Sequence, residues 1–195
     1  MSSLKKLIRL LAFSFVITCG SESKHQEPKV VKQVFDHDIV LVANIMPKRE
    51  GYWEEPPDVI VCNDAPYTLS RVEKSVRFWK NLNYKIGSVT KVNNFEVCID
   101  PNRKFARNKI IIKLRGQKFD ESKYAVTSTY KIINSEKIVG AVIQLQEYAT
   151  EIDWVLEHEI GHALGWRHHN ISGHLMNEKA QLGGWGIKGL RIDRY

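Results

Sequence analysis

The sequence predicts an α+β fold with two main helices and a mostly parallel sheet that has one antiparallel edge strand. An amphipathic segment with helical spacing, residues 70–81, lies between short strand-like runs, and a helix in that place connects parallel strands. Two β-rich runs, 124–133 and 138–146, are separated by the turn-forming residues 134–137, which predicts an antiparallel hairpin. The chain of 195 residues is long enough for one such domain with its own core.

The positions of the other strands and of the helix starts are predicted from apolar runs and from helix-capping residues. The run DVIVC at residues 58–62 is typical of a short buried strand. Ser70 and Glu73 form a capping box at the start of the first helix, and Arg71 lies with other basic residues on its predicted solvent face. Thr150 is the predicted N-cap of the second helix. Further strand-like runs are predicted at residues 38–45, 85–92, 95–99 and 109–114.

Residues 1–19 are predicted to be an export leader. Lys5, Lys6 and Arg9 precede an apolar run, residues 10–17, that is too short to span a bilayer as a mature helix. Cys19 follows at once, and this arrangement resembles the lipobox of bacterial lipoproteins, in which the cysteine carries the lipid. An ordinary cleaved signal and a retained anchor are the alternatives. We therefore expect an exported protein of the cell envelope or a secreted one, with Cys19 as the candidate link to a membrane.

The composition and charge indicate an ordinary globular domain. Hydrophobic residues make up 43% of the chain and charged residues 26%, which are typical values. The formal net charge is +7, but three of the positive charges belong to the leader. The others are spread along the chain without a basic block interleaved with aromatic residues, so we expect no nucleic-acid partner.

Two cysteines remain when Cys19 is set aside. In an exported chain, Cys62 and Cys98 indicate one disulfide, because that compartment is oxidising. The bond would close a loop across the first helix. Two buried free thiols are the alternative.

The most informative stretch of the chain is HEIGHALGWRH at residues 158–168. His158 and His162 are four residues apart, so on a helix both imidazoles project from one face and can bind the same metal ion. Glu159 stands next to the first of them, where it can act as a general base. Gly165 lets the chain turn back after the helix, so that His168 can supply a third nitrogen. Three imidazoles and one open position are typical of a catalytic zinc site.

With these five residues the sequence resembles the metzincin clan of zinc endopeptidases, whose long zinc motif they match position by position. Met176 stands eight residues after His168, which is the matrixin-like distance for the methionine turn that floors the metal site. The resemblance covers about residues 58–178. It implies one catalytic zinc ion and a twisted five-stranded sheet followed by a short irregular C-terminal part. We accordingly assign residues 20–50 to a tether and N-terminal extension, and 51–195 to the catalytic domain.

The chain departs from the subfamilies of the clan after the motif. Matrixins carry Ser after the third His and Tyr-Pro after the Met, whereas this chain has His169, Asn177 and Glu178. Astacins and serralysins place a metal-associated Tyr at the position of Glu178. The tail from residue 177 onward would form the pocket beyond the metal, and we expect His169 and His174 to be exposed loop histidines.

The resemblance implies that a zinc-activated water hydrolyses a peptide bond, with Glu159 as general base. An edge strand within residues 125–133 would hold the extended substrate, a protein or peptide, by main-chain hydrogen bonds. Two alternatives stay open. A zinc amidase acting on cell-wall peptides would use the same chemistry, and a zinc-bearing module could bind peptides without cleaving them. Glu159 argues against the second, because binding alone needs no general base.

Overall fold

The computed structural model describes residues 46–93, 96–99, 107–115 and 123–192. The strand predicted at 38–45, the leader and Cys19 lie outside the described residues. The strands are Tyr52–Trp53 (β1), Asp58–Cys62 (β2), Val89–Val92 (β3), Lys109–Leu114 (β4), Ala125–Lys131 (β5) and Lys137–Leu145 (β6). The α-helices are Leu69–Asn81 (α1), Glu96–Ile99 (α2) and Val155–Ala163 (α3). Within the described ranges, no helix has both the length and the apolar character needed to cross a membrane.

The six strands of the described residues form one mostly parallel sheet. Its order is β1-β6-β4-β2-β3, and β5 also pairs with β6. Every pairing is parallel except that of β5 with β6. The predicted parallel sheet with an antiparallel partner is therefore confirmed. The predicted count of five strands was too low, because the short β1 adds a sixth at the start of β6.

The sheet is covered on both faces. Val59 and Val61 of β2 belong to the larger core, which α1 and α3 share, whereas Ile60 and Cys62 belong to a smaller cluster. This split follows from the alternation of side chains along a strand. It explains the nearly continuous apolar run of β2, since a strand of a parallel sheet is buried on both faces.

Both predicted helix starts were wrong. Thr68 is the N-cap of α1, and its side chain accepts a hydrogen bond from the Arg71 amide. Ser70 therefore lies inside the first turn and does not cap it. Thr150 lies in a separate 3₁₀ helix, Glu147–Glu151, where its hydroxyl donates to the Glu147 carbonyl. The helix α3 begins only at Val155, and its N-cap residue, Trp154, makes no side-chain capping bond.

The segment at 95–99 was predicted as a strand, but its described part is the short helix α2. An apolar run of this length does not distinguish helix from strand by periodicity. The predicted disulfide is confirmed: Cys98 of α2 is bonded to Cys62 of β2, with Cα atoms 5.8 Å apart. It attaches α2 to the sheet face opposite the large core, where Val97 is also buried.

Candidate metal centre

The helix α3 and the turn after it bring three imidazoles together. His158 and His162 lie one helical turn apart, and their Nε2 atoms are 2.9 Å from each other. The Nε2 atom of His168 lies 3.1 Å from that of His162. Ligand atoms of all three residues lie within 4.8 Å of one another, which is close enough for one metal ion. The three histidines that the motif singled out thus form a single cluster.

Two of the rings are oriented by backbone carbonyls. Nδ1 of His158 lies 2.7 Å from the Leu175 oxygen, and Nδ1 of His162 lies 2.7 Å from the Trp166 oxygen. A carbonyl can only accept, so each Nδ1 must be the protonated nitrogen of its neutral ring. The lone pair is then on Nε2, which points into the cluster. This is the arrangement that metal-binding histidines use.

Burial keeps the three rings neutral. It lowers the pKa of His158 to about 4 and that of His168 to about 4. Burial also lowers the pKa of His162 well below its usual value, with further lowering from the neighbouring histidines. At neutral pH all three are therefore in the form that binds metal. Three neutral nitrogen donors fit zinc or another transition metal and do not fit the oxygen-seeking Ca²⁺ or Mg²⁺.

Gly165 makes the turn that returns the chain to the cluster. Its φ is +98°, a conformation that side chains disfavour. A Cβ at this position would lie 2.2 Å from the carbonyl oxygen of Gly51. Both backbone conformation and space therefore require glycine here, as the motif predicted for the turn before His168.

The segment that leads into and includes β1 satisfies the open carbonyls at the end of α3. The Trp53 indole donates to the Ala163 carbonyl at 2.9 Å, and the Arg49 guanidinium donates to that of Leu164 at 3.0 Å. The Glu50 amide donates to the Gly165 carbonyl at 2.8 Å. These carbonyls have no partner within the helix. Residues 49–53 therefore hold the turn that carries His168, a role that no local pattern in the sequence indicated.

Met176 packs directly against α3. It is fully buried, and its Sδ atom lies 2.5 Å from where a Cβ of Gly161 would be. Gly161 directly precedes His162, so the methionine lies beside the part of the helix that carries the cluster. The Met176 carbonyl accepts a hydrogen bond from the His169 amide at 2.7 Å, which connects the two ends of the loop at residues 169–176.

Glu159 is buried next to the histidines and is bonded to the edge strand. The hydroxyl of Thr127, in β5, donates to its carboxylate. Burial raises the pKa of Glu159 to about 7, while the Thr127 hydrogen bond and the positive charge of Arg115 act in the opposite direction. A cation at the histidines would lower it further towards the ionised form. Sequence analysis did not find Thr127, because nothing in the sequence relates it to residue 159.

The residue before His158 fixes α3 to α1. The Arg71 guanidinium binds the Glu157 carboxylate with two hydrogen bonds, of 2.7 and 2.8 Å, and the Ser75 hydroxyl donates to the same carboxylate at 2.9 Å. Arg71 was predicted on a solvated face, and this was wrong. It lies at the edge of α1 that meets α3, where a buried carboxylate needs a charged partner.

His169 and His174 are buried and not exposed as expected. Nδ1 of His174 accepts from the Met176 amide at 3.1 Å, and Nε2 lies 3.1 Å from the Lys188 carbonyl. Both ring nitrogens are therefore engaged in holding the loop, and His174 does not belong to the ligand set.

Open space lies on two sides of the cluster. A cleft of about 370 Å³ adjoins His162 and His168, and a recess of about 20 Å³ adjoins His158 and Glu159. Asn177 and Glu178, which break the subfamily patterns, line the smaller recess. A ligand bound along β5 could reach both spaces.

No protein-family model matches this sequence, and no curated protein shows significant similarity to it.

Proposed function

We propose that this chain is an exported, zinc-dependent endopeptidase of the metzincin type. The observation that carries the proposal is the convergence of three neutral imidazoles beside a buried carboxylate, with two of the imidazoles lining an open cleft. Three protein nitrogens leave one position of a tetrahedral zinc ion for water or substrate, which is typical of catalytic and not of structural zinc. His158, His162 and His168 would hold the ion.

Zinc bound there would supply a Lewis acid and would lower the pKa of water to about 7. The carboxylate of Glu159 accepts a proton from the attacking water, whose oxygen bonds to the scissile carbonyl carbon. When the carbon–nitrogen bond breaks, the same carboxyl group returns the proton to the leaving amine. Thr127 holds the carboxyl in place during both transfers.

The strand β5 offers a binding edge for an extended peptide. Within the described part of the sheet it pairs with β6 alone, and no described strand pairs with its other edge. Its residue Thr127 also contacts Glu159, so a peptide paired to this edge passes directly over the general base.

Export is supported by the disulfide. A bond between Cys62 and Cys98 suits an oxidising compartment outside the cytosol. The leader at residues 1–19, with Cys19 as a candidate lipid site, would direct the chain there and attach it to a membrane.

The test is peptide cleavage by the zinc-loaded chain. A library of unstructured peptides and a set of cell-wall peptides are incubated with the wild type, with Glu159→Ala and with Glu151→Ala, which removes an exposed carboxylate outside the site. We expect Glu159→Ala to bind zinc at unchanged stoichiometry and to lose about 10²- to 10⁴-fold in rate. Unchanged cleavage by Glu159→Ala, or a zinc-loaded wild type that cleaves nothing, would contradict the proposal. Cleavage confined to cell-wall peptides would indicate the amidase instead.

A further inference from the structure

The larger cleft has a wall of distinct charge. It is lined by Thr127, Thr129 and Lys131 of β5, by Glu50, and by the turn from Gly165 to His168. Two metal-site histidines, His162 and His168, belong to the lining. Whatever occupies this cleft therefore lies immediately beside the reacting atoms.

Positive charge exceeds negative charge in this wall. Arg167 and Lys131 are its cations, and Glu50 is its one carboxylate. That carboxylate is shared between Arg167 and Lys48, which lies 3.2 Å away. Lys131 instead donates to the backbone carbonyl of Glu50, which is a neutral acceptor, and no carboxylate of the described residues forms a salt bridge with it.

We infer that this cleft selects peptides with an acidic side chain on the N-terminal side of the cleaved bond, read by Lys131 and Arg167. The inference rests on the proposed function. A carboxylate on the peptide would balance the excess positive charge of this wall, and guanidinium and ammonium groups are the usual protein partners of carboxylates.

The position of the acidic residue follows from the strand. A peptide that pairs antiparallel to β5 runs from the Lys131 end towards the Ala125 end, so its N-terminal part lies beside Lys131. Thr127 marks the reacting centre, because it contacts Glu159. Lys131 is four residues further on, which is about 14 Å along a strand. Allowing for the length of the two cationic side chains, the acidic residue stands about two to four residues before the cleaved bond.

The first experiment compares matched peptides. Peptides that differ only by Glu or Gln at each of those positions are cleaved by the zinc-loaded wild type, and kcat/KM is measured for each. We expect about a five- to tenfold preference for Glu at one of them, since an exposed ion pair contributes up to about 1 kcal/mol and two cations are available. Glu placed after the cleaved bond should bring no preference. Equal cleavage of the Glu and Gln peptides at every position would overturn the inference and leave the endopeptidase proposal standing.

Variants assign the effect to the two side chains. Lys131→Met with Arg167→Met should remove the preference for Glu, and Lys131→Glu with Arg167→Glu should turn it into a preference for Lys. Lys74→Met with Arg77→Met makes the same charge change on the exposed face of α1 and should keep the preference. A preference retained by the double Met variant would overturn the assignment.

A binding measurement separates the two proposals. The Glu159→Ala chain, which should hold substrate without cleaving it, is titrated with fluorescent forms of the same Glu and Gln peptides. We expect the Glu peptide to bind about five- to tenfold more tightly, with the difference shrinking as salt is added. If the Glu peptide binds more tightly but the wild type cleaves neither peptide, the result would support the preference of the cleft for acidic peptides and would contradict the endopeptidase function. Equal binding would overturn the cleft inference.

Discussion

Glu157 and Arg71 form a two-point ion pair between α3 and α1, with N–O distances of 2.7 and 2.8 Å. The carboxylate is almost completely buried, while the guanidinium retains some contact with solvent. Because Glu157 directly precedes His158, the pair sets the position of the helix that carries two histidines of the cluster. The Trp79 indole adds a hydrogen bond of 2.9 Å to the Glu157 backbone carbonyl, so side chain and main chain are both attached to α1.

Removing the arginine should strongly destabilise the fold. Arg71→Ala leaves the buried Glu157 carboxylate without its cation, and loss of one partner of a buried pair costs about 3–5 kcal/mol. Arg77→Ala is the control, because Arg77 makes only an exposed contact of 3.9 Å with Glu73 on the same helix, worth about 0.3–0.5 kcal/mol. Urea unfolding measures both. Equal losses from the two variants would show that the buried pair does not hold α3.

Gly165→Ala should disrupt the turn and weaken metal binding. The new Cβ would meet the Gly51 carbonyl at 2.2 Å in addition to the unfavourable φ of +98°. Gly173→Ala is a matched control, because its φ is +76° and no atom lies within 4 Å of the added Cβ. The control should cost only the conformational strain, about 1–2 kcal/mol.

Thermal unfolding and zinc titration distinguish these two glycines. We expect Gly173→Ala to bind zinc as the wild type does and Gly165→Ala to bind it more weakly. Wild-type zinc affinity in Gly165→Ala would mean that the turn does not position His168.

Thr127→Val should shift the pH profile of cleavage. The Thr127 hydroxyl donates to the Glu159 carboxylate and thereby lowers the pKa of Glu159. Without that hydrogen bond the pKa rises, so the carboxylate is lost at a higher pH and the acidic limb of kcat/KM moves upward. Thr127→Ser keeps a hydroxyl and should restore the wild-type profile. An unmoved acidic limb in Thr127→Val would contradict the role of this hydrogen bond.

The metal-free protein should lose stability as the pH falls from about 6.5 towards 4. Burial lowers the pKa of His158 and His168 to about 4 in the folded state, so between these limits the unfolded chain binds more protons. Glu159 opposes this trend, because burial raises its pKa to about 7; its contribution is present below the ordinary value of 4.5 and is lost as the pH rises through 7. Three histidines with lowered pKa oppose one carboxyl group with raised pKa, so we expect the histidines to decide the net change in stability with pH.

Urea unfolding across pH 4–8, with chelator present, measures this dependence. The Glu159→Gln variant lacks the opposing carboxyl group and should show a steeper loss towards low pH. Added zinc should raise the unfolding free energy most near neutral pH, where protons do not compete for the rings. A metal-free stability that is flat between pH 4 and 6.5 would contradict the burial of neutral histidines.

The elements predicted correctly were those that depend on local spacing. The sheet strands at 58–62 and 109–114 and the hairpin of β5 and β6 occupy the predicted residues to within a few positions. His158 and His162 converge because a separation of four residues repeats the turn of a helix, and the turn at Gly165 brings His168 to them. Both helix starts were predicted wrongly, although Ser70 and Thr150 are residue types that often cap helices. The backbone enters α1 two residues before Ser70, at Thr68, and enters α3 about one turn after Thr150, at Trp154.

The sequence by itself predicted the cluster of three histidines, the turn glycine and the disulfide, and it singled out Glu159 as the candidate general base, since each of these needs a particular residue type at a short or chemically restricted spacing. Only the tertiary structure decided what holds them. The carbonyls of Leu175 and Trp166 orient the rings, Thr127 holds Glu159, and the segment at 49–53 closes the end of α3. These contacts join distant parts of the chain through main-chain atoms and common polar side chains. A backbone carbonyl is the same at every position, so no residue type in the sequence can indicate which one a histidine will meet.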